Sequence, residues 1–167
     1  MTANRRKILK SAATFLSTAW LAPGLALADL SPSISALDKS KLIYLTPIVS
    51  AGKESACHGE VWFVHHNQEI FVVTQADAWR AEATRKGFNK ASIWIGEFGA
   101  WKNAKKQYLS APFLRIEGQL EKDAAVHASV LEVFGAKYSN EWSSWGPRFK
   151  NGLADGSRVL LRYKVTS

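Results

Sequence analysis

A group of polar and charged residues around positions 74–86 offers the most concentrated chemistry in the sequence. Thr74 and Gln75 end an apolar run, and Arg80 follows a few residues later, ahead of the basic pair Arg85-Lys86. If a helix begins at an Asp77 cap, its first turn presents free backbone N–H groups and the positive end of a dipole. A guanidinium in that turn can bind a phosphate through two N–H groups. The pattern predicts an anion site around Arg80, and the alternative is a solvated helix face.

A second set of residues alternates along a predicted strand over residues 58–65. His58, Glu60 and Trp62 are two positions apart, so they share one face of that strand. If this face lines a cofactor groove, Trp62 stacks on a ring and His58 donates a hydrogen bond to it. The alternatives are a polar outer face or a contact between two copies of the chain.

The remaining histidines and the single cysteine predict no metal centre and no nucleophile. His65 and His66 are adjacent, so their side chains point to opposite faces of a strand and do not readily bind one metal ion. His127 is isolated, and no Cys/His spacing matches a zinc site. Cys57 is the only cysteine, which excludes an internal disulfide, and we expect a buried, inert thiol.

The order of elements that must position these residues is β-β-β-α-β-β-α-β. Apolar alternation predicts strands over residues 41–49, 58–65, 69–74, 90–97, 113–120 and 157–165. Helices are predicted over 78–86 and after an Asp123 cap, and the Trp-rich residues 139–152 are predicted to be irregular. We therefore expect a mainly β fold, a split β-barrel of six antiparallel-type strands with two or three helices. No Gly-x-Gly-x-x-Gly follows the first strand, which disfavours a dinucleotide-binding fold.

The first 28 residues have the features of an export signal. Arg5-Arg6-Lys7 and Lys10 form a basic segment, a short apolar stretch follows, and Ala26-Leu27-Ala28 is a small-x-small cleavage site. The Arg5-Arg6 pair followed by Ile8-Leu9-Lys10 is similar to the twin-arginine consensus. We expect a periplasmic or otherwise exported protein. The alternatives are an ordinary secretory signal and an uncleaved membrane anchor.

Removal of residues 1–28 leaves a polar lead-in over 29–40 and one domain over 41–167. Four of the 22 basic residues and none of the 14 acidic ones lie in the signal, so the rest of the chain carries a formal net charge of +4. That dispersed excess argues against a nucleic-acid partner, which needs a strong basic stripe. The apolar run of the signal is shorter than the roughly 20 residues that span a bilayer, and no stable membrane span is expected after cleavage.

Three stretches carry a resemblance to a known family. Residues 44–53 are similar to a first strand with its Ser-Gly-basic turn. Residues 61–64 and 70–74 are similar to a central hairpin, and residues 77–81 to a helix start that places a basic residue near a flavin phosphate. Together they resemble the split β-barrel of the pyridoxamine-phosphate-oxidase-like family, over roughly residues 40–165. That family includes flavin- and deazaflavin-binding reductases.

The resemblance implies an FMN-dependent oxidoreductase that acts on a small molecule, with FMN bound by the chain and the substrate unidentified. It also implies a homodimer, in which a late segment such as the one around Trp142, Trp145 and Arg148 reaches towards the partner's cofactor; the alternative for that segment is a small additional core under a loop. The alternatives are a non-enzymatic periplasmic module that holds flavin, deazaflavin or haem, and a divergent barrel without a cofactor. The cofactor-binding residues predicted on these grounds are Arg80, Thr74, Gln75, Lys53, His58, Trp62 and Trp79.

Overall fold

The computed structural model describes residues 30–166, and seven strands within that range form one antiparallel sheet. The spatial order of the strands is β2-β1-β5-β6-β7-β4-β3. The strands are β1 (Leu42–Pro47), β2 (Gly59–Trp62), β3 (Val64–His66), β4 (Glu69–Gln75), β5 (Lys90–Ile95), β6 (Phe113–Glu121) and β7 (Arg158–Thr166). The helices are α1 (Ser31–Lys39), α2 (Trp79–Arg85), α3 (Ala124–Lys137) and α4 (Ser139–Asp155), with short 3-10 turns at Ser50–Gly52 and Gln107–Ser110.

The two edge strands of this sheet are halves of one stretch of chain. β2 pairs with β1, β3 pairs with β4, and only Phe63 separates β2 from β3. The sheet therefore closes on itself as a barrel, which confirms the predicted mainly β barrel. The strand predicted over residues 58–65 is interrupted at Phe63, so the observed strand number is seven.

The hydroxyl of Tyr138, at the junction of α3 and α4, fills the interruption at Phe63. The Phe63 N–H donates to Tyr138 Oη over 2.9 Å, and Tyr138 Oη lies 2.8 Å from the carbonyl oxygens of both Phe63 and Lys41. Burial raises the pKa of Tyr138, so the ring keeps the proton that it donates to one of those carbonyls. Backbone groups that the strands leave unpaired are thereby satisfied.

Alternating residues of the strands fill the barrel with aliphatic and aromatic side chains. The buried interior consists of one face of each long strand together with Leu37 of α1. Its fully buried members include Ile43, Leu45, Phe63, Ile70, Val72, Ile93, Leu114, Ile116 and Leu161.

The prediction that the Trp-rich stretch is irregular is wrong, because that stretch forms the helix α4. Together with α3 it makes a helical hairpin on the outer face of β3, β4 and β7. The indole of Trp142 packs so closely on Gly135 and Gly146 that a Cβ at either glycine would lie 2.8 Å from it. Tertiary packing therefore outweighs the low helix propensity of Gly146 and Pro147.

The predicted polar lead-in is also helical in the structure. Pro32 lies in the first turn of α1, where its missing N–H costs no intrahelical hydrogen bond. Leu37 enters the barrel core, and Lys137 Nζ donates to the Leu37 carbonyl oxygen over 3.4 Å. α1 therefore covers the end of the barrel where β1 starts, and α2 covers the opposite end.

The predicted export signal over residues 1–28 lies outside the described residues. Within residues 30–166, none of the helices has the length and hydropathy required to cross a bilayer.

The contacts of Tyr138 yield a stability prediction. Tyr138→Phe keeps the ring and leaves the Phe63 N–H and a buried carbonyl without their partner, so we expect the free energy of unfolding to fall by about 1–3 kcal/mol. Tyr108→Phe is the matched control, because that buried ring packs by stacking on Tyr44. Chemical denaturation measures both variants, and equal losses would contradict the proposed role of the Tyr138 hydroxyl.

Candidate functional site

Arg80, the main predicted phosphate ligand, points into the barrel end beneath α2. Its Nη1 donates to Thr74 Oγ1 over 2.8 Å. Thr74 lies on the same face of β4 as the core residues Ile70 and Val72, so this contact lies on the interior side of the sheet. Burial lowers the pKa of Arg80. The guanidinium thus joins α2 to β4, and its assignment as a phosphate ligand stays a prediction that this placement does not favour.

Gly59 of β2 provides the space that Arg80 occupies. A Cβ at position 59 would lie 2.7 Å from Arg80 Nη2, closer than side-chain atoms approach one another. The nearby Tyr163 is fully buried, which raises the pKa of its hydroxyl, while the positive charge of Arg80 acts in the opposite direction. Arg80, Thr74 and Tyr163 therefore fill this end of the barrel, and we call this group of side chains the polar plug.

The other residues predicted near Arg80 do not join it. Gln75 and Lys53 are exposed, at the end of β4 and after the 3-10 turn respectively. Trp79 is half-buried, and Lys86 Nζ lies 5.2 Å from its ring centroid. Helix α2 begins after Ala78 without a side-chain cap, so the predicted Asp77 cap is wrong.

His58, Glu60 and Trp62 share the outer face of their strand but are covered by different elements. His58 Nδ1 lies 2.6 Å from Thr46 Oγ1, and Glu60 Oε2 accepts the backbone N–H of Trp101 over 3.0 Å. Trp62 stacks on the Tyr138 ring at a centroid distance of 4.3 Å. The indole is therefore part of the packing between barrel and helical hairpin.

The predicted burial of Cys57 is also wrong. The thiol expected to be buried is exposed, in the segment that leads into β2.

A groove of about 1270 Å³ runs between α1, the turn after β3 and the end of β7. It is larger than two other surface cavities, of about 320 and 220 Å³. One part of its lining is apolar and another carries charge or an imidazole. The apolar residues are Leu30, Ile34 and Val165, and the polar ones include Asp38, His65, Arg162 and Lys164.

His65 and Asp38 form a hydrogen-bonded pair in the wall of this groove. His65 Nδ1 donates to Asp38 Oδ1 over 2.8 Å, and the two side chains are 15% and 65% exposed. A carboxylate only accepts hydrogen bonds, so Nδ1 carries a proton, and in the neutral form of the ring Nε2 is the nitrogen that keeps its lone pair. Metal-binding histidines are held in this way. Sequence reasoning missed the pair because Asp38 and His65 lie 27 residues apart and on different elements.

Arg162 and Lys164 both border the groove, but other side chains hold them to different extents. Arg162 is held by Glu69 Oε2 at 2.7 Å and by Glu121 Oε2 at 2.9 Å, and these carboxylates raise the pKa of Arg162. Lys164 is 74% exposed and lies 3.7 Å from Glu69 Oε1. Lys164 is therefore the cation more available to an anionic ligand.

The predicted flavin residues are divided among the polar plug, two exposed positions, the half-buried Trp79 and two packed faces, so they do not form one phosphate and ring site within the chain. The groove beside α1 combines an apolar wall, an imidazole with its second nitrogen oriented, and a lysine. That set fits a flat ring that bears carboxylates and a metal. Residues 30–166 hold no group of three or more His, Cys, Asp or Glu side chains that could bind a metal ion by themselves.

Solved structures share this architecture. HutZ from Vibrio cholerae, named as a heme storage protein, has a TM-score of 0.56 and 18% identity, over 83% of this chain and 91% of HutZ. A candidate pyridoxamine 5'-phosphate oxidase from Listeria innocua has a TM-score of 0.52 and 12% identity, over 83% and 94% of the two chains. General Stress Protein 26 from Bacillus anthracis has a TM-score of 0.52 and 12% identity, over 81% and 88%.

The fold is a split barrel. At these identities the likeness shows the fold alone, and it agrees with the resemblance read from residues 40–165. No protein-family model matches the chain, and no curated protein matches it.

The packing of Arg80 on Gly59 predicts a coupled pair of variants. Arg80→Ala removes the hydrogen bond to Thr74, and we expect it to lower the free energy of unfolding by about 1.5–3 kcal/mol. Gly59→Ala places a Cβ against the guanidinium, so it should destabilise the wild-type protein. The same change should cost much less in the Arg80→Ala background, because the clashing group is gone.

A double-mutant cycle by chemical denaturation measures this coupling. Strict additivity of the two changes would contradict the close contact. Gly59→Ala in the Arg80→Ala background serves as the control for the intrinsic cost of replacing this glycine, because the guanidinium that meets the Cβ is absent there.

Proposed function

We propose that this chain is an exported split-barrel protein that binds a flat, anionic ring cofactor, haem or flavin, in the groove beside α1. The observation that carries the proposal is the groove itself, whose lining combines Leu30, Ile34 and Val165 with an oriented imidazole and the exposed Lys164. Burial of a ring against aliphatic side chains supplies affinity, and a few polar groups fix its orientation.

Haem is the cofactor that these residues fit best, and the expected role is to bind and hold it. His65 offers a nitrogen lone pair, which suits an iron centre and has no comparable use for a flavin phosphate. Lys164 offers a charge to a ring carboxylate at the groove rim. HutZ, which shares the fold, is named as a heme storage protein, which agrees with a binding role.

An FMN-dependent oxidoreductase is the second candidate. The fold is also that of a candidate pyridoxamine 5'-phosphate oxidase, and the resemblance over residues 40–165 implies FMN. A bound flavin would supply the redox chemistry, and the chain would bind and orient the flavin and a small-molecule substrate. Lys53 and Gln75 are exposed and remain free to contact a phosphate at the surface of a dimer.

Export and dimerisation belong to the same proposal. The Arg5-Arg6 pair indicates the twin-arginine route, which transports proteins already folded, often with their cofactor inserted. A homodimer is expected from the family resemblance. Exposed apolar side chains at Leu109 and Phe113 supply surface that a second copy could cover.

Titration of the full-length protein with haem and with FMN tests the function. We expect haem to bind and to give an intense absorption band in the near-ultraviolet to violet range, with weaker or no binding of FMN. Lys164→Ala should weaken haem binding about two- to fivefold, the range for one exposed ion pair, while the matched change Lys90→Ala, at an exposed position outside the groove, should not. A protein that binds neither cofactor would refute the proposal, and tight FMN binding alone would favour the oxidoreductase.

A further inference from the structure

We infer that His65 is the side chain that binds the iron of a haem held in the groove, with Asp38 as the positioning residue that orients it. This inference rests on the proposed function, and it selects haem over flavin and names the ligand. The Nε2 lone pair of His65 would form the bond to iron, and the Nδ1 proton would stay in the hydrogen bond to Asp38 Oδ1. No oxidation or proton release is required for this step.

Both members of the pair are anchored by the fold. The backbone at His65 is paired with Ile70 of β4, between the fully buried Val64 and the hairpin turn. Asp38 follows Leu37, which is buried in the barrel core and whose carbonyl accepts a hydrogen bond from Lys137. The 2.8 Å contact is therefore set by β3 and α1, two elements that are each fixed independently.

Comparison of the four histidines of the chain singles out His65. His58 Nδ1 contacts the Thr46 hydroxyl, His127 Nε2 contacts the Glu121 carbonyl oxygen, and His66 Nε2 contacts the Asn67 side-chain amide. Among them only His65 has a carboxylate partner and lines the groove. A carboxylate partner fixes the tautomer and the ring orientation and increases the basicity of the free nitrogen.

The composition of the groove agrees with this ligand. Leu30, Ile34 and Val165 provide apolar surface for a macrocycle, and the exposed Lys164, 3.7 Å from Glu69 Oε1, is close enough to the rim to meet a carboxylate at its edge. Arg162 is already neutralised by Glu69 and Glu121, so it forms part of the wall. Among the described residues that line the groove, His65 is the imidazole that would hold the iron.

The test is a haem titration of full-length wild-type protein and variants, followed by absorption and electron paramagnetic resonance spectroscopy. We expect His65→Ala to abolish the spectrum of histidine-ligated iron and to weaken haem binding at least tenfold. Added imidazole should restore that spectrum in His65→Ala. Asp38→Asn should weaken binding about 10- to 100-fold and shift the spectrum, since it replaces the charged orienting carboxylate with a neutral amide.

The neighbouring histidine provides the matched control. His66 lies one residue away on the same strand. His66→Ala should leave both the haem spectrum and the haem affinity unchanged. Should His65→Ala fold poorly by circular dichroism, His65→Gln keeps the polar character of the position and serves the same comparison.

The outcomes separate the two proposals. If wild-type protein binds no haem, the proposed haem function fails and the assignment of His65 falls with it. If wild-type protein binds haem and His65→Ala or His65→Gln retains the wild-type spectrum, the haem-binding function stands and the assignment of His65 is overturned. An Asp38→Asn variant indistinguishable from wild type would overturn the positioning role alone.

Discussion

The barrel depends on a buried hydroxyl at Phe63, where β2 ends and β3 begins. Phe63 turns the chain from β2 into β3, so its N–H and carbonyl leave the ladder in the interior of the protein. An unpaired buried backbone group costs about as much as a lost hydrogen bond. Tyr138 meets this requirement from outside the sheet, and stacking of Trp62 and Phe134 fixes its ring. Closure of the barrel and docking of the helical hairpin therefore rest on the same side chain.

The two ends of the barrel are closed in chemically different ways. α2 closes one end with a polar plug, in which the Arg80 guanidinium bonds Thr74 and fills the space beside Gly59. α1 closes the other end with Leu37, and its remaining polar face meets His65 of β3. At the first end, the charged group of Arg80 is bonded inside the fold. The second leaves an imidazole and a lysine at a groove, which is why the candidate site lies beside α1.

Sequence reasoning predicted most of the strands and their faces but not the residues that meet. The outward face shared by His58, Glu60 and Trp62 is present in the structure. The helix that contains Arg80 and the Asp123 cap were also predicted from the sequence. Asp123 Oδ1 accepts from the Ala125 N–H over 2.7 Å. The helices α1 and α4 escaped prediction because Gly, Ser and Pro lower local helix propensity, whereas packing of Leu37 and Trp142 supplies the stabilisation.

The sequence by itself determined local properties: the period-two alternation of the strands, their inner and outer faces, and the basic segment around Arg5. Those properties follow from side chains within a few residues of one another. The tertiary structure decided whether Arg80 faces solvent or the barrel interior, and which carboxylate meets His65. Such contacts join residues from separate elements. Local propensities carry no information about the distance between those residues, because that distance is set only when the sheet closes.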